Sequence, residues 1–554
     1  MRNEDIWRSI KTLRFLLIGL FSIFLLVTKG ISAKRPVFVD VTREAGINFK
    51  HASGKSQRYF IVETLGSGVA TFDYNNDGWI DIYLVNSGQV LHRNQTAKNV
   101  LYRNNGDGTF TDTTKSSGTG DLGYGIGVTI GDYDNNGTAD LYVTNYGKNV
   151  LYHNNGDGTF KDVTEKAGVG HPGCGTGCAF ADFDLDGDLD LYVANYVPKD
   201  QVMANTGSNG YRNPIFYDGE IDVLYQNNGD GTFIIITPQL GNSTIFRDAR
   251  GLGVVAVDYN RDKFADIYIA NDKSKNLYFH NNGDATFTEA ATLTGVGHDA
   301  SGNALAGMGI AVGDYDNDGW IDMFVTNFAY EFNNLYHNEK EFFIDATASA
   351  GLGNPSYLYV GWGTFFFDSD NDGDLDLFVA NGHIMDNDEL QSDQLTYEQP
   401  DQLFENRGDG EFIEISIESG NYFSQKYPAR GAAYFDYDND GDLDLLISNS
   451  NHFTILLRND GGNHRNWLQI TLVGTKSNRD AIGTQVTIQY DNQIQVREVQ
   501  SSGSYCSVND YRLHFGMNAA KQIDLVEVRW ANGTIQQLKN IVANQHLTIT
   551  ENQQ

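Results

Sequence analysis

Cysteine is nearly absent from this chain. Cys174, Cys178 and Cys506 are the whole complement in 554 residues, which excludes a fold built on disulfides. Cys174 and Cys178 stand four apart. On an extended strand their Cα atoms would lie about 13 Å apart, outside bridging reach, unless Gly175 and Gly177 bend the chain. Small buried side chains are a simpler reading than a bridge or a metal site with His171. Positive charge is also scarce: 39 Lys and Arg against 72 Asp and Glu, net −33. That balance excludes a nucleic-acid partner, which needs a basic face. One long apolar run exists, Phe15 to Val27. It is short for a bilayer span and normal for a signal-peptide core. With Arg2, Arg8, Lys11 and Arg14 before it and Gly30-Ile-Ser-Ala33 after it, residues 1–33 read as a signal peptide ending near Ala33 or as an N-terminal anchor. Either places the remainder outside the cytoplasm, secreted, extracellular or periplasmic. Nucleophile elbows, His-Glu-x-x-His, phosphate loops and dinucleotide fingerprints are all missing.

What is present is a nine-residue loop, repeated seven times, starting at Asp73, Asp132, Asp182, Asp258, Asp314, Asp368 and Asp436. Oxygen-bearing side chains fall at positions 1, 3, 5 and 9, and position 6 is glycine in six copies. A hard cation such as Ca²⁺ takes six to eight oxygens, and alternate carboxylates around a sharp glycine turn supply them from one short segment. The candidate ligands are Asp73, Asn75, Asp77 and Asp81; Asp132, Asp134, Asn136 and Asp140; Asp182, Asp184, Asp186 and Asp190; Asp258, Asn260, Asp262 and Asp266; Asp314, Asp316, Asp318 and Asp322; Asp368, Asp370, Asp372 and Asp376; and Asp436, Asp438, Asp440 and Asp444. These candidate ligands include 25 of the 72 acidic residues, so metal ligation accounts for much of the acidity. In the fourth loop Lys263 replaces the turn glycine. A Cβ there costs roughly 1 kcal/mol and the ammonium repels a cation, so this is the expected weakest of up to seven Ca²⁺ sites. The first and second loops, with Asn75 and Asn136, carry one carboxylate fewer than the four-acid loops.

Each loop follows a Gly-rich apolar run and precedes a short strand-like run such as Asp190-Leu-Tyr-Val-Ala-Asn195. A Leu-Tyr-x-Asn-Asn run, a Gly-Asp-Gly turn and a Phe-led strand complete the unit. Four strands in a period of roughly 40 to 50 residues mark propeller blades. The Phe-led strand occurs at Phe38, Phe110, Phe160, Phe233, Phe287, Phe343 and Phe412, one repeat out of phase with the loops. The phase predicts that the segment at Phe38 completes the last repeat and removes two exposed edges. The expectation is an all-β chain: a seven-bladed β-propeller over residues 36–465. Polar insertions at about Val197 to Asp222 and Gly382 to Pro400 both fall between second and third strands, on one face, where binding tends to reside.

Beyond residue 466 the loops stop, and alternating runs at Trp467–Val473, Thr484–Gln489, Val496–Gln500, Leu525–Trp530 and Leu547–Thr550 predict a small β domain over 466–554. The loops and Asn-Asn-Gly-Asp-Gly-Thr-Phe turns resemble FG-GAP/VCBS repeats, as in integrin α-subunit propellers. Gly474-Thr-Lys-Ser-Asn-Arg-Asp480, Leu513-His-Phe-Gly516 and Val526-Glu-Val-Arg-Trp530 resemble the ASPIC/UnbV domain. Together they resemble the cartilage acidic protein family. The missing six-Cys EGF-like pattern is closer to its bacterial-type relatives. The resemblance implies a secreted calcium-binding propeller and leaves its activity open.

Two functions fit. The first is a binding or adhesion module for an extracellular protein or polysaccharide, with Ca²⁺ stapling each blade. Its contacts would come from the insertions, where Tyr211, Phe216 and Tyr217 could stack on sugars. The second is an enzyme or biosynthetic accessory protein working at the propeller's central channel, with His383 or His171 as its acid or base. Neither histidine has a recognisable partner in the sequence, so the binding module is the preferred reading. A membrane enters only through an uncleaved anchor. Arg407-Gly408-Asp409 occupies the hairpin position of other Asn-Gly-Asp turns and reads as a turn.

Overall fold

In a computed structural model, the structure describes residues 35–552, apart from 92–96, 205, 207–209 and 387–394. The expected leader or anchor, 1–33, lies outside the described residues, as do parts of both insertions. From Pro36 onward the chain forms one compact unit. No helix among the described residues is long and apolar enough to cross a membrane.

The fold is all-β and propeller-like. The repeat folds as a four-stranded antiparallel sheet, and seven such sheets follow one another along the chain. Their first strands are Val69–Phe72, Gly125–Gly131, Gly175–Ala181, Gly251–Val257, Ile310–Gly313, Gly361–Phe367 and Ala429–Phe435. These first strands touch in chain order, and Ala429–Phe435 touches Val69–Phe72 in turn. Both faces of these strands are covered, which explains why they read as continuous Gly- and Ala-rich apolar runs. The aspartate loops join first to second strands, and the Gly-Asp-Gly turns join third to fourth strands. The two insertions join second to third strands, on the opposite face.

The N-terminal strand Val37–Asp40 pairs antiparallel with Ile455–Asp460, Val37 opposite Asp460, and so supplies the fourth strand of the last sheet. The second-strand tyrosines explain the recurrent Asp-Leu-Tyr. Tyr83, Tyr142 and Tyr268 are fully buried and each hydroxyl donates to a backbone carbonyl, at 2.9, 2.8 and 3.1 Å. Buried phenols need such partners.

The C-terminal segment forms two more sheets. One has strand order Leu513–Asn518, Asn466–Val473, Gln545–Thr550; the other has Gln493–Glu498, Gln485–Tyr490, Gln522–Arg529, Ile535–Val542. Leu468, Val486, Phe515 and Val526 share one apolar core with Tyr142, Phe180 and Leu189 of the repeats. From this segment residues 501–508 run down between the first strands and reach all seven. Val69 N–H donates to Ser507 Oγ, 3.0 Å, and Thr129 Oγ1 donates to Ser501 O, 2.6 Å. Ser501 Oγ donates to Phe180 O, and Cys506 Sγ faces Leu252 O at 3.7 Å. Ile310 N–H donates to Ser504 O, 2.9 Å. Ser504 Oγ accepts from Thr364 N–H at 3.1 Å and donates to Ala432 O at 2.7 Å. Gly68 makes room: a Cβ there would lie 1.7 Å from Cys506 O.

Candidate functional site

The seven aspartate loops fold alike. In six of them the position-1 carboxylate accepts backbone N–H groups from positions 5 and 6, as Asp73 does from Asp77 (3.1 Å) and Gly78 (2.7 Å), and Asp368 from Asp372 (3.1 Å) and Gly373 (2.8 Å); in the fifth, Asp314 accepts from Gly319 alone, and the Asp318 N–H turns to Asp316. The position-9 carboxylate bridges the loop to the third strand. Asp81 accepts from Tyr74 N–H at 3.1 Å and Asn104 N–H at 2.7 Å, and Asp376 accepts from Ser369 N–H and Asn406 N–H. Position 6 lies in the left-handed region, from φ 85° at Gly78 to 101° at Gly373, and Lys263 is held there at φ 77°.

Several clusters fit a cation. Asp182, Asp184 and Asp186, Asp314, Asp316 and Asp318, and Asp368, Asp370 and Asp372 each bring three carboxylate oxygens within 4.8 Å of one another. Asp184 Oδ1, Asp314 Oδ1 and Asp438 Oδ1 are buried and accept no hydrogen bond. Burial, then the crowding carboxylates, pushes Asp314 up to about 8, and burial pushes Asp182 and Asp436 up to about 7. A divalent ion at these points would satisfy the orphaned oxygens and remove the repulsion.

Three histidines missed by the sequence reading stand beside these loops. His153 Nδ1 lies 3.3 Å from Asp134 Oδ2, His280 Nδ1 3.1 Å from Asp266 Oδ1, and His337 Nδ1 3.2 Å from Asp322 Oδ1. All three occupy the variable position of Leu-Tyr-x-Asn or its equivalent, and nothing but that spacing could have flagged them. The asparagine after it was read as part of a turn and is a staple between sheets. Its Nδ2 donates to the position-2 carbonyl of the preceding loop at seven places: Asn104 to Tyr437, Asn154 to Tyr74, Asn227 to Tyr133, Asn281 to Phe183, Asn338 to Tyr259, Asn406 to Tyr315 and Asn459 to Ser369, at 2.7–3.0 Å. A second set links position-4 asparagines to the position-6 carbonyl of the next loop, from Asn76, Asn135, Asn317, Asn371 and Asn439. Leu185 and Arg261 stand where the other two asparagines would be, so both interrupted links involve the Asp258 loop.

The C-terminal segment lies on this loop face. Asp480 accepts the Asp132 N–H at 2.6 Å, Arg512 donates to Asp436 O at 2.8 Å, and Arg465 pairs with Asp370.

The opposite face, at the axis, holds a cavity of about 370 Å³. Both insertions line it, Tyr211 to Pro214 from the first and His383 to Met385 from the second, together with Trp362, Phe328 and Asp272. Of the three insertion aromatics, Tyr211 lines the cavity, Phe216 is exposed and Tyr217 is buried. Beneath it Arg430 is buried, its guanidinium 4.1 Å from the Trp362 ring and donating to the carbonyls of Thr64, Ala429, Gly382 and His383. His383 Nδ1 accepts the Met385 N–H at 3.0 Å, so its proton sits on Nε2. Burial and the Arg430 charge push the imidazole down to about 4. It is therefore a neutral hydrogen-bond donor at physiological pH, and no carboxylate bonds to it among the described residues. His171 Nε2 is buried without a partner, outside this cavity. The channel that the enzyme reading required is filled by residues 501–508, which leaves this cavity at its other mouth. Cys174, Cys178 and Cys506 are free and buried.

The FG-GAP-like repeat matches residues 73–143, 132–193, 258–325, 314–379 and 368–447, more than half of the chain. The chain belongs to the FG-GAP-like repeat family. This repeat chain also matches the ASPIC and UnbV domain over residues 474–554. Its curated relatives include cartilage acidic protein 1 of Homo sapiens, 25% identical over 51% of this chain and 41% of the relative, and that of Xenopus tropicalis, 25% identical over 57% and 47%. The match thus spans less than half the length of either. Similar solved structures are an Agrocybe aegerita lectin that recognises non-reducing terminal N-acetylglucosamine (TM-score 0.44, 16% identity, 72% of this chain and 92% of that one) and BBS1N in complex with ARL6DN (TM-score 0.41, 10% identity, 76% and 97%).

Proposed function

We propose that this protein is an exported, seven-bladed calcium-binding β-propeller over residues 36–465, with a small β domain over 466–554, acting as a binding or adhesion module for an extracellular protein or polysaccharide. The loops from Asp73 to Asp444 hold Ca²⁺, which staples each blade and is a structural ion here, because the C-terminal domain sits across the same face. Export to a calcium-rich compartment lets weak loop sites fill. The observation that carries the binding role is the cavity at the axis, on the face left open and built by both insertions. It is concave, mostly aromatic and apolar, and has a few polar groups that fix orientation: Asp272, Lys273 and the His383 donor. A neutral imidazole of lowered basicity, without a carboxylate partner, suits recognition better than proton abstraction.

The test is a screen of the calcium-loaded protein against extracellular glycan and protein arrays, repeated with Met385→Arg, which fills the cavity. Loss of the recovered partner in the variant, with unchanged melting, is expected. Undiminished binding by the variant would remove the cavity from the reading.

A further inference from the structure

We infer that a second cleft on the insertion face, separate from the axial cavity, is a subsite for a neutral oligosaccharide. This deepens the binding-module reading and rests on it. The cleft encloses about 760 Å³ between three connections of the fifth and neighbouring sheets. Its walls carry Tyr330, Phe332 and Tyr357, which are 50%, 44% and 41% exposed. The rings hold one another edge to face or tilted, Tyr330 to Tyr357 at 5.7 Å between centroids and Phe332 to Tyr357 at 5.3 Å. A large side chain half in water in a preformed cluster presents an apolar face to a ligand rather than to a core.

The backbone supports this reading independently. Tyr330 is held at φ 67°, a conformation that bulky residues avoid, and its N–H donates to Tyr357 O at 2.7 Å. Strain of that kind persists only where surrounding structure enforces it, and it collects at ligand clamps. The enforcement is visible next door. Glu331 turns inward, pairs with Lys273 and accepts the Ala306 N–H at 2.8 Å. Tyr330 and Phe332 are thereby turned out on either side of it. The same loop carries Phe328 into the axial cavity, so the two cavities share a wall.

The rim decides the ligand class. Asp299, Asp345 and Glu331 line the cleft with Asn303, Asn334 and Asn354, and among the described residues no Lys, Arg or His lines it. Asn303 Nδ2 donates to Asp299 Oδ2 at 3.0 Å and Asn334 Nδ2 to Asp345 Oδ2 at 3.2 Å, which orients both carboxylates. Aromatic faces flanked by carboxylate acceptors and amide donors match a pyranose, with its apolar C–H face and hydroxyl edge. The local negative charge, on a chain of net charge −33, repels uronic or sulfated glycans.

The experiment is titration calorimetry of the calcium-loaded full chain with maltohexaose, cellohexaose, chitohexaose and mannohexaose, and with oligogalacturonate as the anionic control. Binding of at least one neutral probe and none of the anionic one is expected. Tyr330→Gly removes the ring while relieving the left-handed backbone, so it should fold as well as the parent and weaken that probe about tenfold. Phe332→Ser should do the same, and Tyr211→Ala, in the axial cavity, is the comparison variant. Affinity lost in Tyr211→Ala and kept in Tyr330→Gly would overturn the inference and leave the axial reading standing. No heat with any neutral probe, or preference for oligogalacturonate, would overturn it as well. The axial reading would fail separately, through the Met385→Arg screen.

Discussion

Replacing Lys263 by glycine should stabilise the protein in calcium and leave it unchanged or slightly less stable in chelator. Lys263 holds φ 77° where the other six loops place glycine. Relief of that strain is worth roughly 1 kcal/mol. Against it, glycine loosens the unfolded chain by about 0.4–1 kcal/mol. The ammonium also lies 5.5 Å from the Phe264 ring centroid, and losing that contact costs about 0.5 kcal/mol. The 2.8 Å bond from the residue-263 N–H to Asp258 survives the change. In chelator the balance is therefore neutral to slightly destabilising, within about 1 kcal/mol. In calcium the lost ammonium counts in addition. A site that tightens about tenfold and is then saturated adds about 1.4 kcal/mol of stability by linkage. Urea unfolding of parent and Lys263→Gly, in millimolar calcium and in chelator, reads both arms, and calorimetry reads the ion count. The same change in both media would refute the idea that this loop is a weakened calcium site.

Chelation of the parent should lower the melting temperature sharply and calcium should restore it; an unchanged melt would break the metal reading of all seven loops. Asn406→Ala removes bonds at 2.7, 3.0 and 3.0 Å from a buried side chain and orphans two carbonyls, for an expected loss of about 3 kcal/mol. Asn76→Gly, which loses one exposed bond and fits the φ 57° backbone, should cost under about 1 kcal/mol by urea unfolding. Gly68→Ala should expel residues 501–508 from the axis. Cys506, buried and with its thiol pushed up by that burial, should then react with a disulfide reagent that leaves the parent untouched.

The sequence revealed those features that the repeat spelled out seven times. Aspartates at fixed spacing, Phe-led strands and their phase led to the loops, the four-stranded sheets and the pairing of Val37–Asp40 with Ile455–Asp460. Features that work through distant neighbours stayed hidden. Asn154 looks like a turn residue until its amide is seen on Tyr74 of the previous repeat, 80 positions away. Residues 501–508 have neither helical nor strand periodicity, because their partners are seven different strands. In the C-terminal segment, Leu513–Asn518 and Ile535–Val542 were not read as strands. The second exposes most of its side chains and carries little alternation to detect. His383 stands out for its place in an insertion, whereas its character is set by Trp362, on the first strand of the same sheet, and by Arg430, from the next sheet.

The way the chain ends has a consequence for how the protein is made. Val37–Asp40 leaves the ribosome well before its partner Ile455–Asp460, which follows more than four hundred residues later. The axial donors of Val69, Ile310 and Thr364 wait longer still, for residues 501–508. Until both arrive, the growing chain keeps an unpaired sheet edge and a row of unsatisfied amides, the state that chaperones hold and proteases cut. A chain cut short anywhere before about residue 508 lacks the piece that seals it. Chains truncated before that point should therefore be cut by protease faster than chains that include it.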